Sequence, residues 1–105
     1  MPASLQQFKA RLFRALAHEL RIRLLEELRG GELPVGELQE RVGASGPNVS
    51  QHLAVLRSQG IVATRRDGTS VLYSIADPRL NNLLDDARAI FEQQIAVGTA
   101  LLQEH

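Results

Sequence analysis

The chain contains no cysteine among its 105 residues. Disulfides, thiolate metal sites and thiol redox switches are all excluded together, because each needs a sulfur that can ionise or couple. Methionine occurs once, at position 1, so sulfur oxidation has no foothold in a core. Tryptophan is absent, and three phenylalanines and one tyrosine are the whole aromatic content, so a core must be built from aliphatic side chains. Net charge is missing too: twelve Lys and Arg balance twelve Asp and Glu. No apolar run reaches the roughly 18 residues of a spanning helix, so a cytoplasmic protein without a membrane partner is expected. A chain of this length is expected to form a single domain, residues 1–105, whose modest core gains from burial against a partner.

What is present is strong periodicity. Lys9, Arg11 and Arg14 stand among the first eighteen residues without an acid, a pattern shared with transit peptides. Leu5, Phe8, Leu12 and Leu16 nevertheless recur at helical spacing, which makes this segment a domain helix capped by Ser4 and running to about Ala17. A second helix is expected from about Glu19 to Arg29, with Leu20, Leu24 and Leu28 on one face and Gly30-Gly31 ending it. Pro34 is expected to open a short third helix carrying Val35, Leu38 and Val42 inward. Gly43-Ala44-Ser45 has the length and glycine of a helix-turn-helix turn, and Ser45 suits the N-cap of a fourth helix that Gly60 stops.

On that fourth helix, advancing about 100° per residue gathers Val49, His52, Leu53, Val55 and Leu56 on one side. Pro47, Ser50, Gln51, Ala54 and Ser58 fall on the other, with Arg57 beside them and Asn48 near the edge of the apolar side. Small and polar side chains on an exposed face suit close approach to base edges. Ile61–Arg66 and Val71–Ile75 read as two strands joined around Asp67-Gly68, with Val71, Tyr73 and Ile75 alternating inward. Between Arg41 and Arg66 lie four arginines (Arg41, Arg57, Arg65 and Arg66) and no acid, a local basic footprint in a neutral chain. The expected fold is therefore mostly α with a small β-hairpin wing, a winged helix-turn-helix of order ααααββα. Its candidate partner is double-stranded DNA, met by Pro47, Asn48, Ser50, Gln51, Ala54, Arg57, Arg65 and Arg66. A winged module that binds protein instead of DNA is the alternative, which the acid-free arginine segment opposes.

Asp77-Pro78 is a helix start, and the last helix is expected from about Arg79 to Gln103. Its apolar stripe, with Leu83, Ala87, Ile90, Phe91, Ile95 and Leu102, approaches a heptad repeat and is longer than a small winged domain can cover. A homodimer is expected, with Leu5, Phe8 and Leu12 of the first helix joining that stripe. From position 80 onward Arg88 faces Asp85, Asp86, Glu92 and Glu104, and so acidic a helix is ill suited to lie on DNA.

With these residues in view, the chain resembles the arsenical-repressor-type (ArsR/SmtB) family of winged-helix transcription factors. The residues that carry the resemblance are Leu16-Ala17-His18-Glu19-Leu20-Arg21-Ile22-Arg23-Leu24-Leu25, Glu32-Leu33-Pro34-Val35-Gly36-Glu37-Leu38, and Asn48-Val49-Ser50-Gln51-His52-Leu53 through Leu56-Arg57. Gly60-Ile61-Val62, Arg65-Arg66-Asp67-Gly68 and Tyr73-Ser74-Ile75 complete it, so that it covers roughly positions 10 to 75 in order and spacing. The resemblance implies a homodimer on an imperfect inverted repeat that usually represses its own operon until an inducer releases it. It also implies base contacts at Pro47, Ser50 and Gln51, where Gln51 can pair with an adenine edge and Pro47 offers only apolar contact.

The departures matter equally. Where metal-sensing members carry Cys-Val-Cys, this chain has Pro34-Val35-Gly36. At the second family metal site Asp77 is present, but Arg79, Ile90 and Gln93 stand at the other ligand positions. No metal and no cofactor are expected, and no effector is specified by these residues. No nucleophile–base pair or phosphate loop is apparent, so an enzyme is not expected. His18 reads as a structural or surface histidine, His52 as a packed or boundary residue of the recognition helix.

Overall fold

The computed structural model describes residues 4–103, the side chains at 100–102 excepted. Helix α1 spans Leu5–Leu16 and opens on a capping box: Ser4 Oγ accepts from the Gln7 backbone N–H at 3.1 Å, and Gln7 Oε1 accepts from the Ser4 N–H at 3.0 Å. Helix α2 spans Glu19–Leu28, α3 Val35–Val42 and α4 Gly46–Ser58. Strands β2 (Val62–Asp67) and β3 (Ser70–Ile75) form the hairpin, and α5 spans Arg79–Gln103. Asp77 Oδ1 accepts from the Arg79 backbone N–H at 3.0 Å, the bond of an N-cap two residues before its donor. The Arg79 guanidinium on the same carboxylate holds it down at about 2, so it stays ionised as a cap.

The wing is more than a hairpin. Leu33–Pro34 forms an additional strand, β1, and the sheet order is β1-β3-β2, all antiparallel. Pro34, expected to open the third helix, instead ends this strand in an extended conformation (φ −74°, ψ 157°), and α3 begins at Val35. A proline lacks the N–H of a ladder donor and is tolerated here because β1 is an edge strand. The hairpin turns at Gly68-Thr69, between paired Asp67 and Ser70, with Gly68 at φ +64°. Tyr73 and Ile75 pack against the core as their alternation predicts, whereas Val71 near the tip is outside that cluster.

The core sits where α2, α3 and α4 meet the sheet. Leu24, Leu25, Leu38, Val49, Leu53 and Leu56 are fully buried, joined by Leu28, Val42, Ile61 and Val62. Ala15 and Leu16 of α1 close one side, Leu80 and Leu84 of α5 another. Beyond that first turn and a half, α5 leaves its own chain: Ile90 and Phe91 are each 60% exposed and Ile95 51%. The radius of gyration, 16.6 Å, exceeds the roughly 13 Å of a compact domain this long, as a projecting helix requires. Among the described residues no helix is long and apolar enough to cross a membrane.

Candidate nucleic-acid interface

The helix-turn-helix is held by backbone chemistry at its corner. Gly43 ends α3 at φ +68°, a left-handed conformation that a Cβ disfavours. Arg23 of α2 donates through Nη2 to the Val42 carbonyl at 2.6 Å, satisfying one orphan acceptor at the end of α3. Ser45 holds the extended N-cap conformation of α4 without a side-chain capping bond, and Pro47 sits in the first turn. Val49, Leu53 and Leu56 then anchor α4, while Pro47, Ser50, Gln51, Ala54, Arg57 and Ser58 are exposed. Asn48, placed near the apolar edge by periodicity, is exposed with them. One face of α4 is therefore free, polar and close to backbone height.

The basic footprint is narrower than the sequence alone indicates. Arg41 is paired with Glu37 at 2.8 Å and Glu27 at 3.4 Å, acids that lie outside the acid-free segment. Arg65 grips Glu32, its Nε donating to the two carboxylate oxygens at 3.0 and 2.8 Å and its Nη2 adding a further bond. That guanidinium holds the Glu32 carboxyl below its usual range. Arg57 and Arg66 have no carboxylate partner among the described residues. Consecutive strand residues point to opposite sides, so Arg65 is engaged by Glu32 just before β1 while Arg66 stands exposed on the other side. Arg66→Ala is expected to weaken binding to every duplex and lower the salt slope by about 0.9 per lost phosphate contact, with Arg65→Ala losing less. Titrations of both variants across salt check this, and equal losses would mean that Glu32 releases its arginine on DNA.

A polar link missed by periodicity joins the recognition helix to the α1–α2 corner. Arg21 Nε donates to His52 Nδ1 at 3.0 Å and its Nη1 to the Ala15 carbonyl at 3.2 Å. The His18 ring lies 5.3 Å from that of His52, centroid to centroid, tilted 51°. Accepting from Arg21 requires Nδ1 to be unprotonated, and burial, then the charges of Arg21 and His18, push the His52 pKa below the ordinary imidazole value. Below about 6.5 the unfolded chain thus takes this proton first, so stability falls as pH drops from there toward the lowered folded value. His52→Gln, which keeps an acceptor but cannot titrate, is expected to flatten that fall in thermal melts between about pH 5 and 8. Equal slopes in the two proteins would show that His52 does not govern it. Among the described residues, no three metal-capable side chains gather around this pair or elsewhere.

The residues expected at a dimer seam divide into two groups. Leu5, Phe8, Ala87, Ile90, Phe91 and Ile95 are exposed, and so is Phe13, which the stripe on α1 did not include. Leu12 and Leu83 are half-buried and pack partly against the chain's own core. The side chain of Leu102 lies outside the described residues.

Comparison with known proteins agrees with this geometry. A helix-turn-helix domain model matches residues 16–65. The uncharacterized HTH-type transcriptional regulator Rv0081 of Mycobacterium tuberculosis is 44% identical over 101 residues, spanning 95% of this chain and 89% of that protein. Its crystal structure superposes with a TM-score of 0.84 at 42% identity, over 93% of this chain and 99% of that one. The biofilm growth-associated repressor of Xylella fastidiosa is 38% identical over 78% of this chain and 72% of its own. The homodimeric winged helix-turn-helix DNA-binding domain of Mb0332 from Mycobacterium bovis, a possible ArsR-family regulator, superposes with a TM-score of 0.79 at 30% identity, over 87% and 84% of the two chains. A winged helix-turn-helix with a free recognition face, matched over nearly its whole length by regulators of this kind, makes the chain a member of the ArsR-type family of DNA-binding transcriptional regulators and not an enzyme.

Proposed function

We propose that this regulator represses transcription by binding an inverted-repeat operator as a homodimer, one recognition helix in each major-groove half-site. The observation that carries the proposal is the division of the surface. The exposed face of α4 presents Ser50, Gln51 and Arg57, and the wing presents Arg66, neither arginine being ion-paired among the described residues, while the exposed apolar residues collect on α1 and the distal part of α5. On this reading the outer face of α4 and the wing serve recognition, and the apolar faces of α1 and distal α5 serve dimerisation. The homodimeric state described for the Mycobacterium bovis domain and the repressor name of the Xylella relative support the same reading. Gln51→Ala is expected to cost about 1–3 kcal/mol at one base pair of each half-site and to relax preference there. Gel shifts against single-base operator variants test it; unchanged discrimination at every position would remove Gln51 from the code. The absence of cysteine, with Arg79, Ile90 and Gln93 at the family's metal positions, supports a signal that is neither a metal nor a thiol oxidant. Micromolar zinc added to the same complexes should leave the shift in place, and a chelator-reversible loss would overturn that part.

A further inference from the structure

Arg11 and Arg14 take no part in the interface described above, and Arg21 enters it only by bracing His52. Arg11 and Arg14 of α1 and Arg21 of α2 line one open cleft of about 210 Å³, bordered on its other side by Val55 of α4 and by Gln59, the residue that follows that helix. No acid lines the cleft, and none of the three is ion-paired among the described residues. Arg29, Arg41, Arg65, Arg79 and Arg88, by contrast, each hold a carboxylate. Arg21 is half-buried and fixed in place by its bonds to His52 and to the Ala15 carbonyl, which engage Nε and Nη1. A guanidinium immobilised in this way loses little freedom when an oxyanion binds, and three like charges facing one hollow repel one another until an anion enters.

We propose that this cleft binds a phosphate group. Several forked donors around one hollow match the tetrahedral oxygens and multiple charge of a phosphate. Two sources carry that chemistry: the backbone of the operator beside α4, or a free phosphorylated small molecule. Val55 and Gln59 lie on the flank of the recognition helix, so either phosphate bridges α1 to the helix that reads DNA. The operator source rests on the function proposed above; the free source does not.

Calorimetric titration of the full chain with inorganic pyrophosphate at low ionic strength, and operator titrations across salt, test the two sources in parallel. Arg11→Ala/Arg14→Ala is the diagnostic variant, since alanine keeps or improves helix propensity and leaves Arg21 in place to hold α4. Arg11→Lys/Arg14→Lys keeps the charge without the fork. Saturable pyrophosphate binding that weakens roughly tenfold or more in the alanine variant, and less in the lysine variant, assigns the site to a free phosphate. A salt slope that falls by about 0.9 per lost contact, without pyrophosphate binding, assigns it to the DNA backbone. If the alanine variant matches the wild type in both titrations, the proposal is overturned. If the wild type binds no duplex, the operator reading fails and the pyrophosphate titration alone decides the cleft.

Discussion

In the homodimer proposed above, Phe91→Asp is expected to halve the mass of the protein in solution and abolish tight operator binding. Phe91 is 60% exposed in the single chain, so an aspartate there buries nothing and leaves the fold intact. In a two-fold interface each subunit presents the same patch, and a residue near the axis brings its own copy close. The substitution would thus place unpaired carboxylates in an apolar seam, at a cost of several kcal/mol. A monomer holds one half-site and loses the coupling of two helices about 34 Å apart, so specific affinity falls while weak phosphate binding persists. Light scattering with a parallel circular dichroism spectrum separates the cases. An unchanged dimer mass would move the interface off the distal part of α5.

Leu53→Ala is expected to cost about 2–5 kcal/mol of stability, a large share of the roughly 5–15 kcal/mol that holds a domain folded. Leu53 is fully buried on the inner side of α4, among Leu24, Leu25, Leu38 and Leu56. Cutting its isobutyl group back to a methyl leaves a cavity under the recognition helix, on the side opposite Gln51. Operator binding is lost through unfolding, so it should return on cooling, whereas the Gln51→Ala defect is a change of base preference that cooling does not repair. Denaturant melts at matched protein concentration measure the loss, because the stability of the proposed dimer would depend on concentration. A cost below about 1 kcal/mol would mean that the surrounding leucines collapse into the space.

These two residues, one facing solvent and one facing the core, also show how far local pattern reaches. The inner and outer sides of α4 follow from periodicity, which separates Leu53 and Leu56 from Ser50 and Gln51. Periodicity did not settle α5, where one unbroken stripe serves two purposes. Leu80 and Leu84 pack into the chain's own core, and Ile90, Phe91 and Ile95 leave it. A repeat reports which residues share a face, not where along the helix the supporting core ends.

By itself the sequence determined the elements whose causes are local: the capped start of α1, the glycine turn at Gly43, the amphipathic recognition helix and the hairpin at Gly68. Backbone preference and side-chain spacing act within a few residues, and both can be read along a chain. Tertiary structure alone decided the pairings that set charge and coupling. Arg65 meets Glu32 across 33 positions, Arg21 meets His52 across 31, and Arg29 meets Asp85 across 56. It also added β1 to the wing and brought Arg11, Arg14 and Arg21 to one cleft. An arginine's partner depends on which elements pack together, and that information is not carried by the residues on either side of it.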